Sequence, residues 1–108
     1  LGYSLAKNGM TGTIPSTIQR CTSLRDLRLE CNSFRGTIPT EIGKLTSLDN
    51  LSLYNNNLNG PIPSEIAYLK RLQSIEIGPN QITGSLPKAI RRCTDLRSLF
   101  LNENQKRF

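Results

Sequence analysis

Leucine and isoleucine recur along this chain on a fixed step, and the polar positions between them keep the same step. Leu24, Leu48, Leu72 and Leu96 stand 24 residues apart, as do Leu27, Leu51, Ile75 and Leu99, and then Leu29, Leu53, Ile77 and Leu101. The Leu-x-Leu alternation is the period-two pattern of a short strand, with the leucines on one side and the intervening residues on the other. Later in each unit Ile14, Ile38, Ile62 or Leu86 precedes Pro15, Pro39, Pro63 or Pro87, and Ile18, Ile42, Ile66 or Ile90 follows the proline by three. Proline's fixed φ and missing N–H suit the first position of a short helical turn. The three-residue spacing points both apolar side chains inward from a 3₁₀-like segment. Gly12, Gly36, Gly60 and Gly84 precede these segments, where the turn needs unusual backbone angles or close approach. A unit repeated at this period predicts stacked coils that share one core, not a globule around a pocket.

One polar residue returns in every unit: Asn8, Asn32, Asn56, Asn80 and Asn104. The chain leaves each strand by a bend that buries peptide groups. A short amide side chain, which both donates and accepts, can satisfy them. These five asparagines are predicted to form a structural ladder and not a ligand site.

The pattern Leu-x-x-Leu-x-Leu-x-x-Asn-x-Leu, continued as x-Gly-x-Ile-Pro-x-x-Ile, resembles the leucine-rich repeat in its plant-type, 24-residue form. Its clearest copy holds Leu48, Leu51, Leu53, Asn56, Leu58, Gly60, Ile62, Pro63, Ile66 and Leu69. The resemblance implies an α/β solenoid: a right-handed coil with a parallel β-sheet on its concave face and short 3₁₀ or helical turns on the convex side. The units run 1–23, 24–47, 48–71, 72–95 and 96–108, within one domain, above the ~3 repeats that a shared core requires. The first unit starts mid-pattern, and Lys106 stands where Leu58 and Ile82 stand, so a fragment of a longer protein is expected, its ends covered by further sequence or by neighbours.

If the inward columns are core, function falls to the outward ones. Three such columns flank the predicted strands: Gly2, Asp26, Asn50, Ser74 and Ser98; then Ser4, Arg28, Ser52, Glu76 and Phe100; then Ala6, Glu30, Tyr54, Gly78 and Asn102. The binding candidates are Asp26, Arg28, Glu30, Asn50, Ser52, Tyr54, Glu76, Phe100 and Asn102. Tyr54 and Phe100 are the natural anchors, because rigid aromatics bring contact area at little ordering cost. Asp26, Arg28, Glu30 and Glu76 supply charge complementarity, or merely neutralise one another on a solvated sheet. Asn50-Leu51-Ser52 matches the N-glycosylation triplet, a weak pointer at a strand position.

Charge adds a second surface. The chain of 108 residues carries a formal net charge of +6, and Arg20, Lys44, Lys70, Arg71, Arg91 and Arg92 all follow the Ile-Pro-x-x-Ile segment. They form a basic stripe on the convex side, suited to an acidic polysaccharide or acidic protein surface, or simply to water. Aromatics do not interleave with it, so nucleic acid is not the expected partner.

The remaining chemistry argues against catalysis. There is no histidine, no cysteine pair at zinc-site spacing and no phosphate-binding glycine motif, so neither metal nor cofactor is expected. Glu41 and Glu65 share a repeat column and read as acids at the exposed N-termini of the helical turns. Cys21 and Cys93 occupy the column of Leu45 and Leu69 and read as buried apolar thiols. Three coils apart, they stand roughly 14 Å from one another, too far for a disulfide. Cys31, beside Asn32, reads as a partly exposed free thiol.

The expected function is a non-catalytic module that recognises a protein or peptide ligand, in a receptor-like ectodomain at the cell surface or outside the cell. The alternative is a structural scaffold held among neighbouring subunits of an assembly. No run approaches the ~18 apolar residues of a membrane span, and no secretory leader is visible in this segment.

Overall fold

A computed structural model describes residues 2–101. The chain climbs through repeated strand, strand and 3₁₀-helix units. The order is β1 (Gly2–Ser4), β2 (Thr11–Thr13), η1 (Ser16–Arg20), β3 (Asp26–Arg28), β4 (Ser33–Gly36), η2 (Thr40–Lys44), β5 (Asn50–Ser52), β6 (Asn57–Gly60), η3 (Ser64–Tyr68), β7 (Ser74–Glu76), β8 (Gln81–Ile82), η4 (Lys88–Arg92) and β9 (Ser98–Phe100).

The five strands expected from the Leu-x-Leu pattern form one parallel sheet in the order β1-β3-β5-β7-β9. Its register keeps the 24-residue step: Asp26 faces Asn50, Leu27 faces Leu51, and Arg28 faces Ser52. Glu76 in turn faces Phe100. The outward columns read from the sequence are therefore true rows across the sheet.

A second parallel sheet, β2-β4-β6-β8, was not expected. Its register steps by 22 residues, with Thr11 opposite Ser33 and Arg35 opposite Asn57. The signal for it lay in the alternation about Phe34 and Leu58, whose side chains are buried between exposed Ser33 and Arg35, and between exposed Asn57 and Asn59. At two to four residues per strand, that alternation is too short to separate from a turn.

The core lies between the first sheet and the row of 3₁₀ helices. Leu27, Leu51 and Ile75 from the strands, and Leu53 and Ile77 just after them, meet Ile42 and Ile66 from the helices, each at most 1% exposed. The prolines sit one residue earlier than expected. Pro15, Pro39 and Pro63 are extended helix caps, with ψ of 145°, 143° and 143°. Each proline carbonyl accepts the first helical bond, from the N–H of Ile18, Ile42 or Ile66 at 3.1 Å. A cap needs its carbonyl and not its N–H, and proline lacks only the latter. Gly36 and Gly60 have φ of 80° and 74°, as the turn reading required.

The asparagine ladder forms through the middle of the stack. Asn56 accepts from the Phe34 amide through Oδ1 at 3.0 Å, and its Nδ2 donates to the carbonyls of Leu29 at 2.9 Å and Leu53 at 3.0 Å. Asn32 and Asn80 repeat the pattern, Asn32 on Met10, Leu5 and Leu29, and Asn80 on Leu58, Leu53 and Ile77. All three side chains are buried, whereas Asn8 in the first coil is exposed. Asn104 lies outside the described residues.

Two buried-or-exposed expectations are corrected. Cys21 is exposed although Leu45, Leu69 and Cys93 in its column are buried: it lines the open end of the stack at the first coil. Glu41 and Glu65 are half-buried, not exposed, because neighbouring 3₁₀ helices pack closely: a Cβ on Gly43 would stand 2.8 Å from the Glu65 carbonyl.

Candidate functional site

The open face of the five-stranded sheet brings most of the expected residues together. Strand register places Arg28, Ser52, Glu76 and Phe100 in one row and Asp26, Asn50, Ser74 and Ser98 in the row beside it. Neighbouring strands lie about 4.8 Å apart, so Arg28 and Glu76 stand about 10 Å apart across Ser52. Ser52 is buried, so it is not a projecting contact. Arg28 is exposed; Asp26, Asn50, Tyr54 and Glu76 are half-buried. Phe100 is 55% exposed at the last strand. Asn102 lies outside the described residues.

Glu30 departs most from its expected place. Read as an outward, exposed carboxylate, it is only 4% exposed. It follows the strand, where the chain begins to bend inward, and Asn32 Nδ2 donates to its carbonyl at 3.3 Å. Asn56 Nδ2 makes the corresponding contact to the Tyr54 carbonyl at 3.3 Å. The ladder thus holds the backbone from which both site side chains project, a coupling of core and site that periodicity alone did not reveal.

The outward columns of the face carry Asp26, Glu30 and Glu76 beside Arg28. Arg28 Nε reaches Asp26 Oδ2 at 3.3 Å, a long contact on side chains 53% and 36% exposed. In such a setting an ion pair contributes at most about 1 kcal/mol. The Tyr54 phenol is pushed above its ordinary range, first by burial, then by the Cys31 thiol and the carboxylates of Glu30 and Glu76, with Arg28 opposing. Asp26 Oδ1, Glu30 Oε2 and Asn50 Oδ1 are buried acceptors with no hydrogen-bond partner among the described residues.

The edge of this face carries a cluster that the sequence reading passed over. Asp49 Oδ2 receives Arg25 Nη2 at 2.9 Å and Nε at 3.0 Å, and Arg71 Nε stands 3.8 Å from Asp49 Oδ1. Arg71 therefore leaves the basic stripe for the sheet edge. The other five cations of the stripe are exposed, as expected. A cleft of about 730 Å³ opens at the first coil, but Leu5, Ile14, Ile18, Leu24, Leu29 and Phe34 line it. Those are the core columns themselves, so the cleft is the end of the stack and not a separate site.

A Leucine Rich Repeat profile matches residues 23–45 and 47–69. The chain is built of leucine-rich repeats. Solved structures share the solenoid of the described residues closely. The plant peptide hormone receptor RGFR1, in complex with RGF2, matches 89% of this chain at 35% identity and a TM-score of 0.87. The BIR2 ectodomain from Arabidopsis thaliana matches 97% at 33% identity and a TM-score of 0.93. A plant ice-binding protein matches 97% at 29% identity and a TM-score of 0.92. The repeat is thus of the plant type that the Gly-x-Ile-Pro segment indicated. This leucine-rich-repeat chain spans 15% of the RGFR1 chain, 55% of the BIR2 chain and 34% of the ice-binding chain. No curated protein sequence matches it.

Proposed function

We propose that this chain is part of the ectodomain of a receptor-like leucine-rich-repeat protein and recognises a peptide or protein ligand, without catalysis, on the open face of its five-stranded sheet. The reading places it outside the cell or at its surface. One observation carries it: the face is rigidly held yet chemically unfinished. Phe100 and Tyr54 offer apolar area to a partner, and Asp26, Glu30 and Asn50 each carry a buried acceptor with no hydrogen-bond partner among the described residues. The likeness to RGFR1 in complex with RGF2 supports a peptide as the ligand class. The likeness to an ice-binding protein means that the fold alone cannot carry the reading, so the side chains must. The five exposed cations on the opposite side support contact with an acidic polysaccharide or an acidic protein surface as a secondary role.

The test is to select binders from a displayed random-peptide library on the chain, and to measure their affinity for it and for two variants. Tyr54→Ala is expected to weaken the selected peptides about fivefold or more, a loss typical of an interface anchor. Lys44→Ala, on the far side, is expected to leave them unchanged. Peptides that lose affinity with Lys44→Ala and keep it with Tyr54→Ala would overturn the reading.

A further inference from the structure

The edge by which the chain enters the five-stranded sheet carries charge of its own. The Asp49 amide donates to the Arg25 carbonyl at 2.7 Å, the Gln73 amide to the Asp49 carbonyl at 2.7 Å, and the Arg97 amide to the Gln73 carbonyl at 2.8 Å. Arg25, Asp49, Gln73 and Arg97 therefore form one row across successive coils, just ahead of β3, β5, β7 and β9. Arg71, two residues before Gln73, reaches back to the same row through Asp49.

The charges in this row do not balance. Asp49 receives Arg25 on Oδ2 and Arg71 beside Oδ1, so two guanidinium groups stand on one carboxylate. Arg97 makes no ion pair among the described residues. The nearby acids do not supply one: Asp26 is paired with Arg28, and Asp95 is exposed without an ion pair among the described residues.

The arginine donors are held in place but not used up. Arg25 spends Nε–H and one Nη2–H on Asp49, at 3.0 and 2.9 Å, which leaves three of a guanidinium's five. Arg71 Nε, at 3.8 Å, is beyond hydrogen-bond range, so the field of Asp49 holds it without consuming a donor. Both side chains stay more than half exposed, at 56% and 57%. A long side chain that is already tethered has less freedom to lose when a second anion arrives.

We propose that Arg25, Arg71 and Arg97 form a docking site for an acidic, extended segment of a protein partner, with Asp49 positioning the first two. Guanidinium forks take carboxylates two N–H bonds at a time, which suits Asp and Glu side chains. The backbones of Arg25 and Arg97 stand three coils apart, about 14 Å, which four residues of extended chain span at ~3.3 Å each. A uniformly charged polymer suits the row less well, because Asp49 and Asp95 stand among its cations and repel the units that meet them. A protein segment can set acids opposite the arginines and neutral residues opposite the aspartates. The site lies beside the open face and does not depend on the ligand proposed for that face.

The test titrates acetyl-Glu-Gly-Gly-Gly-Glu-amide and its glutamine counterpart into the isotope-labelled chain at low ionic strength, with backbone amide shifts followed by NMR. The acidic peptide is expected to shift the amides of Arg25, Asp49, Arg71, Gln73 and Arg97 saturably. The glutamine peptide is expected to bind about tenfold more weakly or not at all. Arg71→Gln and Arg97→Gln are each expected to weaken the acidic peptide about threefold or more. Neither is expected to change thermal stability, since Arg97 has no ion pair to lose and that of Arg71 is long and exposed. Lys44→Ala, on the side of the 3₁₀ helices, is expected to change nothing. Equal shifts with the glutamine peptide, shifts confined to the 3₁₀ side, no shifts, or arginine variants that lose stability and keep affinity would overturn the inference. Inorganic phosphate and digalacturonate, titrated in the same way, check the occupant. Tighter binding of either at these amides than of the acidic peptide would overturn the assignment to a protein segment.

Discussion

Replacing Asn56 by alanine isolates what the ladder contributes, because the structure says which groups lose partners. The Phe34 amide loses its acceptor at 3.0 Å. The Leu29 carbonyl loses one donor but keeps Asn32 Nδ2 at 3.1 Å, the Leu53 carbonyl loses one but keeps Asn80 Nδ2 at 2.9 Å, and the Tyr54 carbonyl loses a long contact at 3.3 Å but keeps the Cys31 amide at 2.9 Å. A deserted buried amide costs about 1–3 kcal/mol, and each half-deserted carbonyl a fraction of a hydrogen bond's ~1 kcal/mol. The sum is about 2–4 kcal/mol, or on the order of 10 °C in Tm for a chain of this size. Asn8→Ala, at the same repeat position but exposed, is expected to cost within about 0.5 kcal/mol. Asn56→Asp sharpens the comparison. It keeps an acceptor for Phe34 but turns a second oxygen toward three carbonyls. Its cost at neutral pH is at least that of alanine, and it shrinks as pH falls, because the buried acid's raised pKa lets it take up the missing proton in the folded state. Urea unfolding followed by far-UV circular dichroism, with the m-value checked for constancy, measures all three. Equal losses for Asn56→Ala and Asn8→Ala, or an innocuous Asn56→Asp, would refute the accounting.

Two further outcomes are expected. Gly43→Ala puts a Cβ 2.8 Å from the Glu65 carbonyl and 3.1 Å from Tyr68 Cδ2; the overpacking is expected to cost about 1–3 kcal/mol, against the usual gain of Gly→Ala in a helical segment, and a stabilised variant in thermal melts would contradict it. Of the three thiols, exposed Cys21 is expected to react first with a chromogenic disulfide and half-buried Cys31 more slowly. Cys93, buried and with its thiol pKa pushed up by that burial, is expected to stay silent until urea unfolds the chain. Rapid reaction of all three in the native protein would contradict the packing.

The period by itself determined the architecture. A step of 24 residues repeated in eight columns leaves one economical solution, in which like residues stack, so the five-strand sheet, its register, the 3₁₀ segments after Ile-Pro and the burial of Asn32, Asn56 and Asn80 were all legible. The outward columns were legible as rows for the same reason. Tertiary structure decided what the period cannot express, namely each residue's depth and its neighbours one coil away. Cys21 and Cys93 share a column, yet Cys21 is exposed and Cys93 is buried with its thiol 3.7 Å from the Ile66 carbonyl. Glu30 and Tyr54 share a column, yet Glu30 is buried, its Oε2 without a partner among the described residues, and Tyr54 is half-buried. The second sheet escaped because its strands are too short for their alternation to register, and the Arg25–Asp49–Arg71 cluster because its members join across different coils and columns. Local chemistry fixes which way a side chain starts out; packing against neighbouring coils fixes whether water, a partner or nothing awaits its polar end.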